Sequence, residues 1–169
     1  MEIPTLRATS KEYNIYWANG EKNLKNSIDH DTTVSSNISL PQFFKIKVKF
    51  VEMKSKDIVI GLSKKRFLCV QSERSYLSNL ENENEEYGYD PKSTGYKFSY
   101  RNKQEVYGET CEEGDILTIS YKKNSTISFR RNKKTMGVAF NYAIGPFYLA
   151  ASIFRNATNL EIVSCRALW

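Results

Sequence analysis

Histidine is almost missing from this 169-residue chain: His30 is the only one. A histidine-based catalytic triad would have to use it, and a zinc site would have to lean on three scattered cysteines. Cys69, Cys111 and Cys165 show no CxxC spacing and leave an odd thiol over. That pattern belongs to reduced cysteines in a cytoplasmic or nuclear protein rather than to a secreted disulfide framework. No apolar run approaches the roughly 18 residues of a membrane span. The amino-terminal MEIPTLRATSKEY has no apolar signal-peptide core. The sequons at Asn37, Asn124 and Asn156 are chance products of an Asn- and Ser-rich chain without an export signal. None of the eight glycines lies within five residues of another, so there is no glycine-rich phosphate loop. Helical periodicity is as scarce, with only Glu73–Leu80 offering a short helical turn.

What is present is a globular balance of 40% hydrophobic and 26% charged residues. A chain of this length buries roughly 70% of the surface that its unfolded form exposes, so one core needs no metal or disulfide staple. The 25 Lys and Arg residues outnumber 19 Asp and Glu, for a net charge of +6.

The dominant pattern has period two. In Phe44-Lys45-Ile46-Lys47-Val48-Lys49-Phe50 a lysine separates each apolar residue from the next. The spacing predicts a strand with Phe44, Ile46, Val48 and Phe50 in the core and the lysines on a solvated sheet face. Tyr96–Arg101, Leu117–Tyr121 and Thr126–Arg130 repeat the pattern. Asp57–Leu62 and Phe147–Phe154 are more continuously apolar and read as central strands. Tyr13–Trp17, Thr33–Leu40, Met136–Asn141 and Asn159–Cys165 are further strands. Asn124-Ser125 and Asn132-Lys133 divide Asp115–Asn141 into a three-stranded meander. Pro4, Pro41, Pro91 and Pro146 all lie at run boundaries, where a missing N–H costs least. Ala18–Thr32 and the acidic Glu81–Glu86 read as solvated loops, the material of binding sites. Short strands with turns between them predict an all-β antiparallel sandwich.

Some local features carry their own physics. Gly114-Asp115 is a turn that feeds a strand, Gly88 between two tyrosines marks a close backbone approach, and Gly137 inside a strand marks a bulge. Together with their neighbours they also form a pattern. Ile58–Leu62, Tyr87-Gly88-Tyr89-Asp90, Val106-Tyr107-Gly108, Glu113–Leu117, Ile127–Asn132, Gly137–Phe140 and Phe147–Ser152 follow one another in the order and spacing of a SPRY domain, the larger part of the B30.2 domain. The chain resembles that family over roughly 44–163. The resemblance implies a bent antiparallel two-sheet β-sandwich of the concanavalin A-like jelly-roll kind. It also implies a protein-binding module without catalysis that recognises partners through loops at one end. On this reading 44–165 is the core, 1–43 supplies lead-in strands and a loop packed on the sandwich, and 166–169 is a tail.

The pattern is most similar to that of the SPRY domain–SOCS box adaptors. A tyrosine eleven residues before the aromatic-Gly-aromatic-Asp motif helps those domains hold a peptide, and Tyr76 has that spacing here. The end of the Tyr-x-Ala-x-Ser strand implies Phe154, Arg155 and Asn156 as a second part of the site. The family carries an apolar-Trp-Gly sequence there, so Arg155 and Asn156 depart from it. Lys65 and Arg66, after the strand that ends at Leu62, form a basic rim in this reading, and Asn79 and Asn156 supply hydrogen bonds. The expected ligand is a short acidic or phosphorylated peptide of a protein partner, bound by the recognition part of an adaptor or ubiquitin ligase complex.

Other readings carry less. The Lys122–Lys134 span holds six cations and no acid. Its single aromatic, Phe129, alternates with Ile127 toward the core, which reads against nucleic acid. His30 sits between Asp29 and Asp31 in a polar loop, and Trp17 and Trp169 read as packing residues. The expectation is a monomer with no cofactor, no metal, no membrane and no enzymatic activity. A carbohydrate-binding β-sandwich is the alternative.

Overall fold

The computed structural model describes Trp17 and residues 20–26, 32–54, 57–66, 70–71, 86–92, 94–99, 104–154 and 158–169. Every regular element among the described residues is a strand. They are β1 (Asn23–Asn26), β2 (Thr32–Ser35), β3 (Phe44–Met53), β4 (Asp57–Ser63), β5 (Val70–Gln71), β6 (Glu86–Tyr89) and β7 (Tyr96–Ser99). β8 (Glu105–Val106), β9 (Ile116–Tyr121), β10 (Ile127–Arg131), β11 (Lys134–Phe140), β12 (Tyr148–Phe154) and β13 (Thr158–Ala167) follow. One antiparallel sheet has the order β1-β13-β3-β9-β10-β11, and the other β5-β2-β12-β4-β6-β7-β8.

The core lies between the two sheets. Phe44, Ile46, Val48 and Phe50 of β3 are fully buried, as their alternation predicts, while Lys47 on the opposite face is exposed. Each such side chain stabilises the fold by about 1.5–3 kcal/mol. Ile58, Ile60 and Leu62 of β4 and Leu149, Ala151 and Ile153 of β12 face them from the second sheet. Val59 and Ala150 are buried on the other side of that sheet under Phe98, so both strands are covered on both faces. β9, β10 and β11 form the expected meander. Asn132, with φ of 49°, makes one of its turns.

Aromatic rings tie the sheets together. Tyr121 packs edge-on against Phe147 at 5.1 Å, and Tyr87 lies 5.0 Å from Phe140. At the open edge Lys97 donates to the Ala139 carbonyl at 2.7 Å and Tyr107 donates to the Gly137 carbonyl at 2.7 Å. These two bonds occupy outward groups of edge strand β11, which also carries the bulge expected at Gly137, where φ is +82°. An edge closed in this way offers a poor template for another strand.

Four expectations are corrected. Ala18–Thr32 is not all loop, because Asn23–Asn26 pairs with β13 and buries Leu24. A four-residue strand with one apolar side chain leaves no period in the sequence. The strand expected at Thr33–Leu40 ends at Ser35, and Ser36 and Leu40 bond instead to the Leu149 and Phe147 carbonyls. Glu86 belongs to β6 and is 3% exposed, because pairing with Ser63 draws the end of the acidic run into the sheet. Trp17 is buried, but Trp169 is 77% exposed and does not pack. β13 continues through Arg166 and Ala167. Tyr13–Tyr16, His30 and Glu73–Leu80 lie outside the described residues.

The close approach falls at a glycine pair. Gly61 of β4 stands opposite Gly88 of β6, and a Cβ on Gly61 would overlap the Tyr87 carbonyl oxygen and come 2.8 Å from the Gly88 Cα. Both obstacles are backbone and cannot rotate away. Gly61→Ala is therefore expected to cost about 3 kcal/mol through forced separation of β4 and β6. Urea unfolding measures this, and an unchanged midpoint would show that the strands separate freely.

Candidate functional site

Strand register decides which loops share an end. β12 runs against β4 so that Phe154 faces Asp57 and Tyr148 faces Ser63. At the Phe154 end Ile153 also faces Thr32, Thr32 faces Gln71, and Thr158 faces both Asn26 and Met53. The connections that leave these positions, 27–31, 54–56 and 155–157, therefore begin or end together. The segment after Gln71 starts here too, but Glu86 at its far side stands beside Ser63 at the opposite end.

The turn before β9 completes this end. Gly114 donates to the Phe50 carbonyl at 2.7 Å, and the Met53 N–H donates to the Glu113 carboxylate at 3.0 Å. Asp115 accepts from the Glu112 N–H at 2.8 Å, from Arg131 Nε at 2.6 Å and from the Asn132 amide at 2.7 Å. Partial burial works against its charge, but these three donors outweigh it and hold the carboxyl below its ordinary value. Lys54 pairs with Glu52 at 2.8 Å nearby. The described charges at this end are thus mixed in sign and largely paired.

The expected site residues fall unevenly on this frame. Phe154 closes β12 at the loop-rich end. Tyr76, Asn79, Arg155 and Asn156 lie outside the described residues. Lys65 and Arg66 are exposed beyond Ser63, at the other end of β4 from Phe154. Six residues of extended chain span roughly 20 Å. Lys65 and Arg66 thus stand a strand length from Phe154, at the end where Glu86 enters β6.

The family model for the SPRY domain matches residues 42–164. The chain belongs to the SPRY domain family. A human SPRY domain has a TM-score of 0.65 with this structure at 15% identity, covering 83% of this chain and 90% of that one. The SPRY domain of human HERC1 gives 0.66 at 15% identity, over 84% of this chain and 87% of that one. The NHR domain of Neuralized from Drosophila melanogaster gives 0.53 at 14% identity, over 94% and 79%. Likeness at such low identity establishes the fold. None of the curated proteins matches the chain in sequence. SPRY domains are generally protein-interaction modules, and the expected two-sheet sandwich is the one observed.

Among the described residues of this SPRY domain, no three His, Cys, Asp or Glu side chains are placed to hold a metal ion. No described helix is long and apolar enough to cross a membrane. The loop Asn141–Pro146 is a feature that strand patterns miss. Tyr142 and Ile144 there are exposed although apolar, and only their position in an Asn-, Gly- and Pro-bounded turn signals it.

Burial, then the neighbouring Asp115 charge, pushes the Cys111 thiol up to about 12, and burial alone pushes Cys165 up to about 12. Both are expected to resist alkylation in the folded protein at mildly alkaline pH and to react after denaturation, as read by mass spectrometry. Labelling of either in the folded state would contradict their burial. Asp115→Asn is expected to cost about 1–3 kcal/mol at neutral pH, since it leaves donors facing a weaker acceptor. The depressed folded value also sets a sign: its contribution is present above the unfolded carboxylate pKa and fades as pH falls through the folded one. Urea midpoints across acid pH should therefore fall less steeply for Asp115→Asn than for the parent protein.

Proposed function

We propose that this SPRY domain captures a short segment of a partner protein at the Phe154 end, as the recognition part of a larger adaptor or complex. The observation that carries the reading is that the strand ends flanking 27–31, 54–56 and 155–157, together with Gln71, share this end. Loops gathered on a rigid sandwich supply variable side chains at fixed positions, which is what recognition of an extended segment requires.

In this reading Tyr76 and Phe154 provide apolar contact area, and Asn79 and Asn156 bond to peptide backbone. Arg155 grips one carboxylate or phosphate group bidentately. Lys65 and Arg66 lie a strand length from Phe154, at the end where the segment that carries Tyr76 and Asn79 rejoins the sheet at Glu86. They form the basic rim that steers an acidic peptide toward that segment. Glu52, Glu112 and Glu113 share this end with Lys54 and Arg131, and Arg155 supplies the preference for an acidic ligand in this reading. The free thiols of Cys111 and Cys165 favour the cytoplasm or nucleus as its setting.

The test combines Tyr76→Ala with Arg155→Glu and compares proteins recovered by affinity purification from the native cell. Loss of specific partners, with the circular dichroism of the folded domain retained, is the expected result. Equal recovery by the double variant would sink the site.

A further inference from the structure

The outward face of the six-stranded sheet is a surface distinct from both ends of the sandwich, and strand register sets its residues in rows. Lys49 of β3 stands between Glu161 of β13 and Ile116 of β9. In the next row Lys47 lies between Ser164 and Thr118, and Thr118 lies beside Arg130 of β10. In the third, Lys45 lies between Arg166 and Ser120, and Ser120 lies beside Ser128. Alternate residues along β3 are about 7 Å apart, and Lys47 and Arg130, two strands apart, are separated by about 10 Å.

The charge on this face is one-sided. Lys45, Lys47, Lys49 and Arg130 form no ion pair among the described residues. Arg166 already has a partner in the fold. Glu161, opposite Lys49, is the acid within the rows, and Glu52 at their end pairs with Lys54 at 2.8 Å. Glu86, where the acidic run enters the fold, belongs to the other sheet and is buried. Thr118, between Lys47 and Arg130, is 3% exposed, and Arg130 Nε is buried with no hydrogen-bond partner. A buried donor without an acceptor is costly, and the guanidinium lacks the acceptor that an anion seated over Thr118 would supply. Ser120, Ser128 and Ser164 are partly exposed among the cations, and no aromatic residue stands in the three rows.

We propose that this face binds the backbone of double-stranded RNA. Cations repeated along a straight strand and interleaved with hydroxyls match the charges and oxygens of a phosphodiester backbone. Protein interfaces centre on aromatic anchors, and single strands need rings to stack on; the rows offer neither. A bilayer needs an apolar anchor besides charge. Val51 and Val163, partly exposed at the bulges beside the rows, are too short to reach acyl chains. A sheet face has no helix or ribbon to enter the deep major groove of DNA. It suits the wide, shallow minor groove of A-form RNA, where 2′-hydroxyls would meet Ser120 and Ser128. The surface is independent of peptide capture at the Phe154 end, so one domain would hold an RNA and a protein together.

The test is fluorescence anisotropy of the full chain with a fluorescein-labelled RNA duplex of about 18 base pairs. Saturable binding with Kd between about 1 and 100 μM at about 50 mM salt is expected, and log affinity should fall against log salt with a slope of about −3 to −4. Lys47→Glu with Lys49→Glu should weaken binding at least about tenfold with circular dichroism retained. Should that pair lose structure, Lys47→Gln with Lys49→Gln should still weaken it at least about threefold and flatten the salt slope by about 2. Arg130→Gln should cost about threefold. Lys64→Glu with Lys92→Glu removes the same charge from connections of the other sheet. That pair, and separately Arg155→Glu, should stay within about twofold of the parent. A DNA duplex of the same sequence and the single RNA strand should each bind at least about threefold more weakly. Absence of saturable binding would overturn the proposal, as would equal affinity for the DNA duplex or equal losses in the Lys47, Lys49 and Lys64, Lys92 pairs. Lys47-dependent sedimentation with phosphatidylcholine–phosphatidylserine vesicles in place of RNA binding would overturn it equally.

Discussion

The register between β4 and β12 is the constraint on which the rest of this SPRY domain depends. Seven consecutive residue pairs, from Phe154 beside Asp57 to Tyr148 beside Ser63, fix the two central strands of one sheet. A slip of one residue would turn Ile58, Ile60 and Leu62 out of the core and Val59 into it, so the hydrophobic effect enforces the alignment. Gly61 tightens the fit by letting the Tyr87 backbone approach more closely than any side chain would allow. Once the pairing is set, every loop of the seven-stranded sheet is assigned to one pole or the other.

Two poles of different character result. At the Phe154 pole acids and bases alternate along the chain and neutralise one another, as in Lys54 with Glu52 and Asp115 with Arg131. At the Tyr142 pole Lys122 and Lys123 lie in the β9–β10 turn, and Glu86 is buried at the start of β6.

The strand pattern was largely legible in the residues. β3, β4, β9, β10 and β12 lie within a residue or so of their expected starts, because each buries an unbroken alternating or apolar run. β3 alone runs three residues past its expected end, to Met53. The Gly137 bulge and the Gly114 turn were legible too, since each needs a conformation that glycine adopts cheaply. β1 and the buried position of Glu86 were not. Neither has a local signal; both exist because a partner strand, β13 or β4, offers an open ladder of hydrogen bonds. Of the candidate site, Phe154 was correctly set at the end of its strand. Lys65 and Arg66 lie at the other end of β4 from Phe154, which sequence order does not reveal.

The sequence by itself determined the class of the fold, the family and the inward set of β3, because alternation and motif spacing are local properties of the chain. The tertiary structure alone decided which charges share a pole and which apolar residues stay in solvent. Trp169 and Tyr142 are as apolar as Trp17 and Tyr89, yet the first pair is exposed and the second buried. The difference is one of placement: Trp17 bridges to Ser36 and Tyr89 lies within β6 between the sheets, whereas Tyr142 and Trp169 lie beyond the strands with their side chains in solvent.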